Sequence, residues 1–337
     1  MRRTSPRQTL HTAALVSCAA LLWACGGSGG PGGPTDTALQ ITCPADLTVT
    51  SVMNAFQAVT FGPPTATGGS APLRTICTPP SGTVLPLGRT AVTCVASDPA
   101  GRSASCAFGV TLSGFRIGAL KFDAIGDSLT AGEVGRPGFA RSIVDLPNAY
   151  PTKLQQALDA TYPGQGIVVL NNGTGGFTVN QTLAVVKRLM PTDRPDVVLL
   201  LSGFNDLTGV CGPGLAGTMA CANAQDTVRF GIRDCLRAVR EANVGVKYTL
   251  VSTLTPPGPS GSNRIDSNAI VQANQRIRQV VGAEGGVLVD SYARFVGHEA
   301  EYVNVDGLHL RPAGYAALAD AFYTAIQTTV PQIPALR

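Results

Sequence analysis

Four short stretches of this chain carry residue types that acyl transfer requires. The first is FDAIGDSLTAGE, Phe122 to Glu133, in which an apolar run breaks at Gly126, sets an acid at Asp127 and presents Ser128. A serine hydroxyl is a weak nucleophile and needs a base. In a strand-to-loop turn it would serve equally well as the cap of a following helix. The second stretch is NNGTGGFT, Asn171 to Thr178, whose glycines let backbone N–H groups, Gly176 among them, come close to a ligand. The third is LLLSGFNDL, Leu199 to Leu207. Asn205 is a neutral amide that can donate to a developing oxyanion without adding charge, although Asn-Asp is also a common turn. The fourth is NVDGLHLRPAGY, Asn304 to Tyr315. Asp306 and His309 are close enough for the carboxylate to hold the imidazole and stabilise its charged form; otherwise they are loop and capping residues. A metal site is the weaker reading, because only His298 and His309 follow the N-terminal segment and no ligand cluster accompanies them.

These stretches need a frame that brings them to one place. From Gly118 onward, apolar runs of strand length alternate with helix-period segments. The expected strands are Ala119–Ile125, Ile167–Leu170, Val197–Leu201, Tyr248–Ser252 and Val287–Val289, continuous enough to be covered on both faces. Val228, Ile232, Cys235 and Val239 recur at helical spacing, as do Ile270, Ala273, Ile277 and Val281, and finally Tyr315, Leu318, Phe322 and Ile326. Pro312 suits the first turn of that last helix. The alternation predicts a three-layer α/β/α domain on a parallel sheet, with its site along the strands' C-terminal edge.

The preceding residues read differently. Leu39 to Ser113 holds short β-type runs separated by Gly, Pro and Asp turns, which predicts a small antiparallel sandwich. Such a thin core needs staples, and Cys43, Cys77, Cys94 and Cys106 can supply them in any of three pairings. Cys211 and Cys221 can close a short loop, whereas Cys235 falls on an apolar helix face as a buried thiol. Gly26 to Ala38 is a Gly/Pro-rich linker. Ahead of it, a basic start and the apolar run Ala13–Ala24 read as an export signal, too short to span a bilayer comfortably. The chain has 337 residues, enough for two domains, with a formal charge of +4 of which Arg2, Arg3 and Arg7 supply three; no basic stripe suggests nucleic acid.

Three resemblances extend this reading. Residues 1–25 end in LLWAC, which resembles a bacterial lipoprotein box with Cys25 as the lipidated residue. It implies a cell-envelope protein anchored in the membrane by its N-terminal lipid. Gly26 implies the outer membrane in a host with two membranes, and a secreted protein follows if Cys25 is unmodified. Residues 39–113, through TCPADLTV and the run Cys77 to Phe108, resemble a hyalin-repeat (HYR) module of immunoglobulin-like fold. Such a module would act as a spacer or contact a cell-surface or matrix partner.

The four blocks, in order over residues 114–332, resemble the SGNH (GDSL-type) hydrolases. The resemblance implies a flavodoxin-like α/β/α domain with Ser128 as nucleophile, His309 as base and Asp306 as third triad member. The Ser128 N–H, Gly176 and Asn205 would form the oxyanion hole, with Gly175 as an alternative to Gly176. It implies hydrolysis of a small-molecule, lipid or saccharide ester with no metal or cofactor. The expected enzyme is a carboxylesterase, lipase or lysophospholipase, with a carbohydrate O-acetyl esterase or thioesterase as the alternative. A non-enzymatic alternative, an adhesion protein on a degenerate hydrolase scaffold, is disfavoured by the complete triad.

Overall fold

The structure, a computed structural model, describes residues 37–51, 54–135, 142–262 and 264–334. The expected signal with Cys25, and most of the Gly/Pro-rich stretch, lie outside the described residues. Two apolar cores form within them.

The smaller core gathers Val59, Leu85, Val92, Phe108, Val110 and Leu112. It lies against a sheet ordered Leu47–Thr50, Ser103–Ser113, Gly88–Ser97 and Arg74–Thr78. Alternation along the third of these turns Val92, Cys94 and Ala96 fully inward. The wholly antiparallel sandwich expected from sequence needs one correction. Leu47–Thr50 runs parallel to Ser103–Ser113, with Leu47 beside Val110. More than fifty residues separate the two strands, ample for the long connection that parallel pairing demands. Disulfides join Cys43 to Cys106 and Cys77 to Cys94.

Asn54 fastens this module to the rest of the chain. Its side chain is buried, donating to the Thr161 carbonyl at 2.6 Å and accepting the Phe115 N–H at 2.9 Å. Gln165 accepts the Ile117 N–H beside it.

The larger core surrounds five strands: β1 (Lys121–Gly126), β2 (Val168–Gly173), β3 (Val197–Leu201), β4 (Tyr248–Ser252) and β5 (Val287–Val289). All pair in parallel, in the order β2-β1-β3-β4-β5. Central β3 is buried throughout. Among its helices are α1 (Ser128–Ala131), α2 (Tyr150–Thr161), α3 (Val179–Asp193), α4 (Phe204–Leu207), α5 (Met219–Ala242), α6 (Ser267–Ala283) and α7 (Pro312–Thr329), with two short ones, Ser291–Phe295 and Glu299–Tyr302, ahead of the last. α3, α5 and α6 pack side by side. α2 packs with α7, where Tyr150 stacks on Phe322 at 4.9 Å between ring centres. This is the flavodoxin-like strand order, and the chain leaves β1 and β3 toward opposite faces, opening a crevice at their C-terminal ends. Register brings three blocks level there, since Gly126 pairs with Gly173 on one side and Leu201 on the other.

β1 also carries a fully buried acid, Asp123. Asn172 on β2 donates to its Oδ1 at 2.7 Å and reaches Asp193 at 3.3 Å, while its Oδ2 has no partner among the described residues. Burial, and then the charge of Asp193, raise its pKa to about 6 against the bond from Asn172 and the charge of Lys121. The folded state therefore holds this proton more tightly than the unfolded chain does. The stability Asp123 contributes is complete below about pH 4 and is lost as pH rises through about 6, on the order of 2–3 kcal/mol. Asp123→Asn keeps an acceptor for Asn172 and cannot ionise. Its stability relative to the parent should therefore improve by roughly that amount between pH 4.5 and 8, read by urea unfolding. A pH-independent difference would show that the carboxyl is not buried as described.

Candidate active site

Ser128 does not cap the helix that follows it. Asp127 is the N-cap of α1, its carboxylate accepting the Leu129 N–H at 3.1 Å, and Ser128 is the first helical residue. The serine hydroxyl is thus released from the capping role and stands at the end of β1 with its residue 3% exposed. Gly132, in the left-handed region at φ +88°, ends α1 after a single turn and sends the chain back across the crevice. Asp127 is fully buried, and its Oδ2 has no hydrogen-bond partner among the described residues. Burial pushes its pKa up to about 7; N–H groups of Leu129 and Phe204 and the charge of His309 act the other way, and Asp206 adds to the rise.

The second block arrives through close packing. A Cβ on Gly173 would come within 2.1 Å of the Ala131 nitrogen, so only glycine lets β2 pass under α1. The Thr174 N–H bonds to the Gly126 carbonyl at 3.0 Å, and the Phe177 N–H turns back to Thr174. Between them Gly176 adopts φ +77° with open space above it.

The third block grips this loop. Asn205, in α4, donates one amide hydrogen to the Phe177 carbonyl at 3.0 Å. A carboxamide has two such donors, so one remains for a ligand. Asp206 accepts the Val179 N–H at 2.9 Å and so holds the start of α3. Its half-burial raises its pKa despite that bond. Beyond α4, the Cys211–Cys221 disulfide closes the loop leading into α5, and Cys235 is free and buried.

The fourth block folds on itself ahead of α7. Asp306 Oδ1 accepts the N–H groups of Leu308 and His309, and Oδ2 meets His309 Nδ1 at 2.5 Å. Burial alone would raise the pKa of Asp306, but the bond to His309, its charge and those two N–H groups together hold it below the usual value. This carboxylate is therefore ionised at neutral pH and fixes Nδ1, leaving Nε2 to exchange protons.

Ser128, Gly176, Asn205, Asp306 and His309 thus belong to four segments, two of them short helices, that share one sheet edge. No hydrogen bond among the described residues joins Ser128 Oγ to His309. Nε2 instead faces Glu133 Oε2 at 3.8 Å. Sequence reasoning did not weigh Glu133, although it lies within the first block. The set comprises a hydroxyl, a carboxylate-held imidazole, and backbone and amide donors. Acyl transfer is the chemistry such groups support together.

Two family models match the chain: the GDSL-like lipase/acylhydrolase family over residues 124–317 and the HYR domain over residues 36–112. The spore germination lipase LipC of Bacillus licheniformis is 25% identical over 217 residues, in a match that covers 61% of this chain and 96% of that protein. An acetylxylan esterase of Geobacillus stearothermophilus is 35% identical over 83 residues, 25% of this chain and 38% of that protein. Among solved structures, the lipase/acylhydrolase from Enterococcus faecalis aligns with a TM-score of 0.49 at 21% identity, covering 65% of this chain and 100% of that one. The match from β1 to beyond His309 spans more than half of the sequence, and the chain, with a HYR domain ahead of its catalytic unit, belongs to the GDSL-like lipase/acylhydrolase family of ester hydrolases.

Proposed function

We propose that this protein is a serine esterase that cleaves carboxylic esters through an acyl-enzyme on Ser128. Ser128 Oγ attacks the ester carbonyl carbon and its proton passes to His309 Nε2, while Asp306 keeps Nδ1 bonded and stabilises the imidazolium. The oxygen that becomes negative accepts from the N–H groups of Ser128 and Gly176 and from the second amide hydrogen of Asn205. Collapse of the tetrahedral intermediate expels the alcohol, which takes the proton from Nε2. Water, deprotonated by the same nitrogen, then attacks the acyl-enzyme and releases the acid.

The observation that carries this reading is the division of labour in the first block. Asp127 caps α1, so the hydroxyl of Ser128 stays available at the edge where the Asp306–His309 pair lies. Simple carboxylic esters are the substrates it favours, with sugar O-acetyl esters as a second class because an acetylxylan esterase is among the similar proteins. Three disulfides among the described residues favour an oxidising compartment, in keeping with the export expected from the N-terminal residues.

A p-nitrophenyl alkylphosphonate tests the reading. It should inactivate the protein at one equivalent and leave its adduct on Ser128 in the peptide mass map, with p-nitrophenyl acetate hydrolysis lost in parallel. Inactivation with the adduct elsewhere would refute the assignment.

A further inference from the structure

Glu133 is unusual in its setting. Its backbone begins a short hairpin, Glu133–Val134 paired with Ile143–Val144. The hairpin is tied to the fourth block at two points. Tyr315 donates its hydroxyl to the Glu133 carbonyl at 2.5 Å, and Asn304 donates to the Gly135 carbonyl at 2.8 Å. The side chain is 18% exposed and turns into the crevice. Oε2 accepts the Ser142 hydroxyl and lies 3.8 Å from His309 Nε2. Oε1 lies over the glycine loop, so near that a Cβ on Gly175 would come within 1.8 Å of it. No described residue donates a hydrogen bond to Oε1.

That position has a chemical meaning if His309 acts as in the proposed reaction, on which this inference rests. The leaving oxygen must approach Nε2 to within hydrogen-bond reach to collect its proton. A carboxylate 3.8 Å from the same nitrogen then borders the atoms one or two bonds beyond that oxygen, on the alcohol side of the ester. It can accept hydrogen bonds from hydroxyls there and repels negative charge there.

We propose that Glu133 is a specificity-determining residue that selects esters of neutral, polyhydroxylated alcohols, such as glycerol or a sugar, over esters whose alcohol carries a nearby anionic group. The Ser142 hydroxyl and the two ties to the fourth block hold the carboxylate in register with Nε2. Preorganised in this way, it recognises a hydroxyl without first having to be ordered.

The test holds the acyl group constant and varies the alcohol. Glycerol 1-acetate, propyl acetate and 1-acetylglycerol 3-phosphate are compared as ratios of kcat/KM, with active sites counted by the phosphonate so that misfolded protein drops out. Glu133→Gln keeps the size and an acceptor but removes the charge. It should raise the phosphate ester relative to propyl acetate by about tenfold. Glu133→Ala removes the acceptor as well, and should lower glycerol acetate relative to propyl acetate by about tenfold. If both ratios stay at the parent value, or all three esters fall together, Glu133 acts on the fold or on His309 and the proposal is overturned. Parent protein that hydrolyses these esters without phosphonate labelling at Ser128 would instead overturn the serine-esterase reading, and this proposal with it.

Discussion

Ser128→Ala is expected to remove ester hydrolysis, lowering kcat by about 10³-fold or more, while the protein melts within a degree or two of its parent. The argument is local. Ser128 is the first residue of α1, and the cap that holds the helix is Asp127. Alanine is a good helix former at that position, and the hydroxyl contributes no capping bond that would be lost. Stability and turnover should therefore separate cleanly. His309→Ala should be about as damaging to turnover, because nucleophile and base act as one unit. Asp306→Asn should cost less than either, because the imidazole stays in place, although an amide NH2 facing Nδ1 favours the tautomer that cannot act as base. Phosphonate burst titration, steady-state kinetics and thermal melting on each variant check these outcomes. A folded Ser128→Ala protein that turns over near the parental rate would remove Ser128 from the mechanism.

Asn205→Ala should lower kcat by about 10²–10³-fold with KM changed little, because an oxyanion donor acts chiefly once charge has developed on the carbonyl oxygen. The structure adds a second consequence. The same amide bonds the Phe177 carbonyl, so alanine should also cost about 1 kcal/mol of stability. The loss of that tie alone would loosen the Gly176 loop and lower the melting temperature, with substrate binding weakened as the loop wanders. A variant that melts early yet keeps its kcat would show that Asn205 serves only as a loop tie. A fall in kcat at saturating substrate, well below the melting transition, marks the oxyanion role.

The frame was largely legible from sequence because apolar continuity is a strong signal for buried parallel strands. Val197–Leu201, Tyr248–Ser252 and Val287–Val289 occur with the expected limits. β2 does not stop at Leu170 but runs on through Asn171, Asn172 and Gly173. Those polar residues look like loop, yet each finds a partner on β1, and backbone pairing outweighs local composition. α2 and α3 carry no comparably clear stripe. Pro151 in α2 and Pro191 in α3 read as breakers, although Pro151 lies in the first turn, where its missing N–H costs nothing. Within the site, the Asp306–His309 contact was allowed by their spacing, which left loop and capping roles open as well. Glu133 was hidden because its place depends on the left-handed turn at Gly132 and on anchors from Tyr315 and Asn304, about 180 residues away. Spacing along one segment cannot reveal a contact made by three.

The Asn54 junction marks where a pull on the front of the chain would enter the catalytic unit. Asn54 meets Thr161 and Phe115 at the end of the sheet where β1 and β2 begin, opposite the edge that carries Ser128. Six residues of extended strand, roughly 20 Å, separate the two ends. A pull applied ahead of the HYR module passes through a body closed by the Cys43–Cys106 and Cys77–Cys94 crosslinks before it reaches the catalytic unit. It enters at the foot of the sheet, where the last strand Gln332–Pro334 zips onto Phe115–Ile117. The crevice lies at the other end of the strands from that point of entry, so such a pull would reach the foot of the sheet before the edge that carries Ser128.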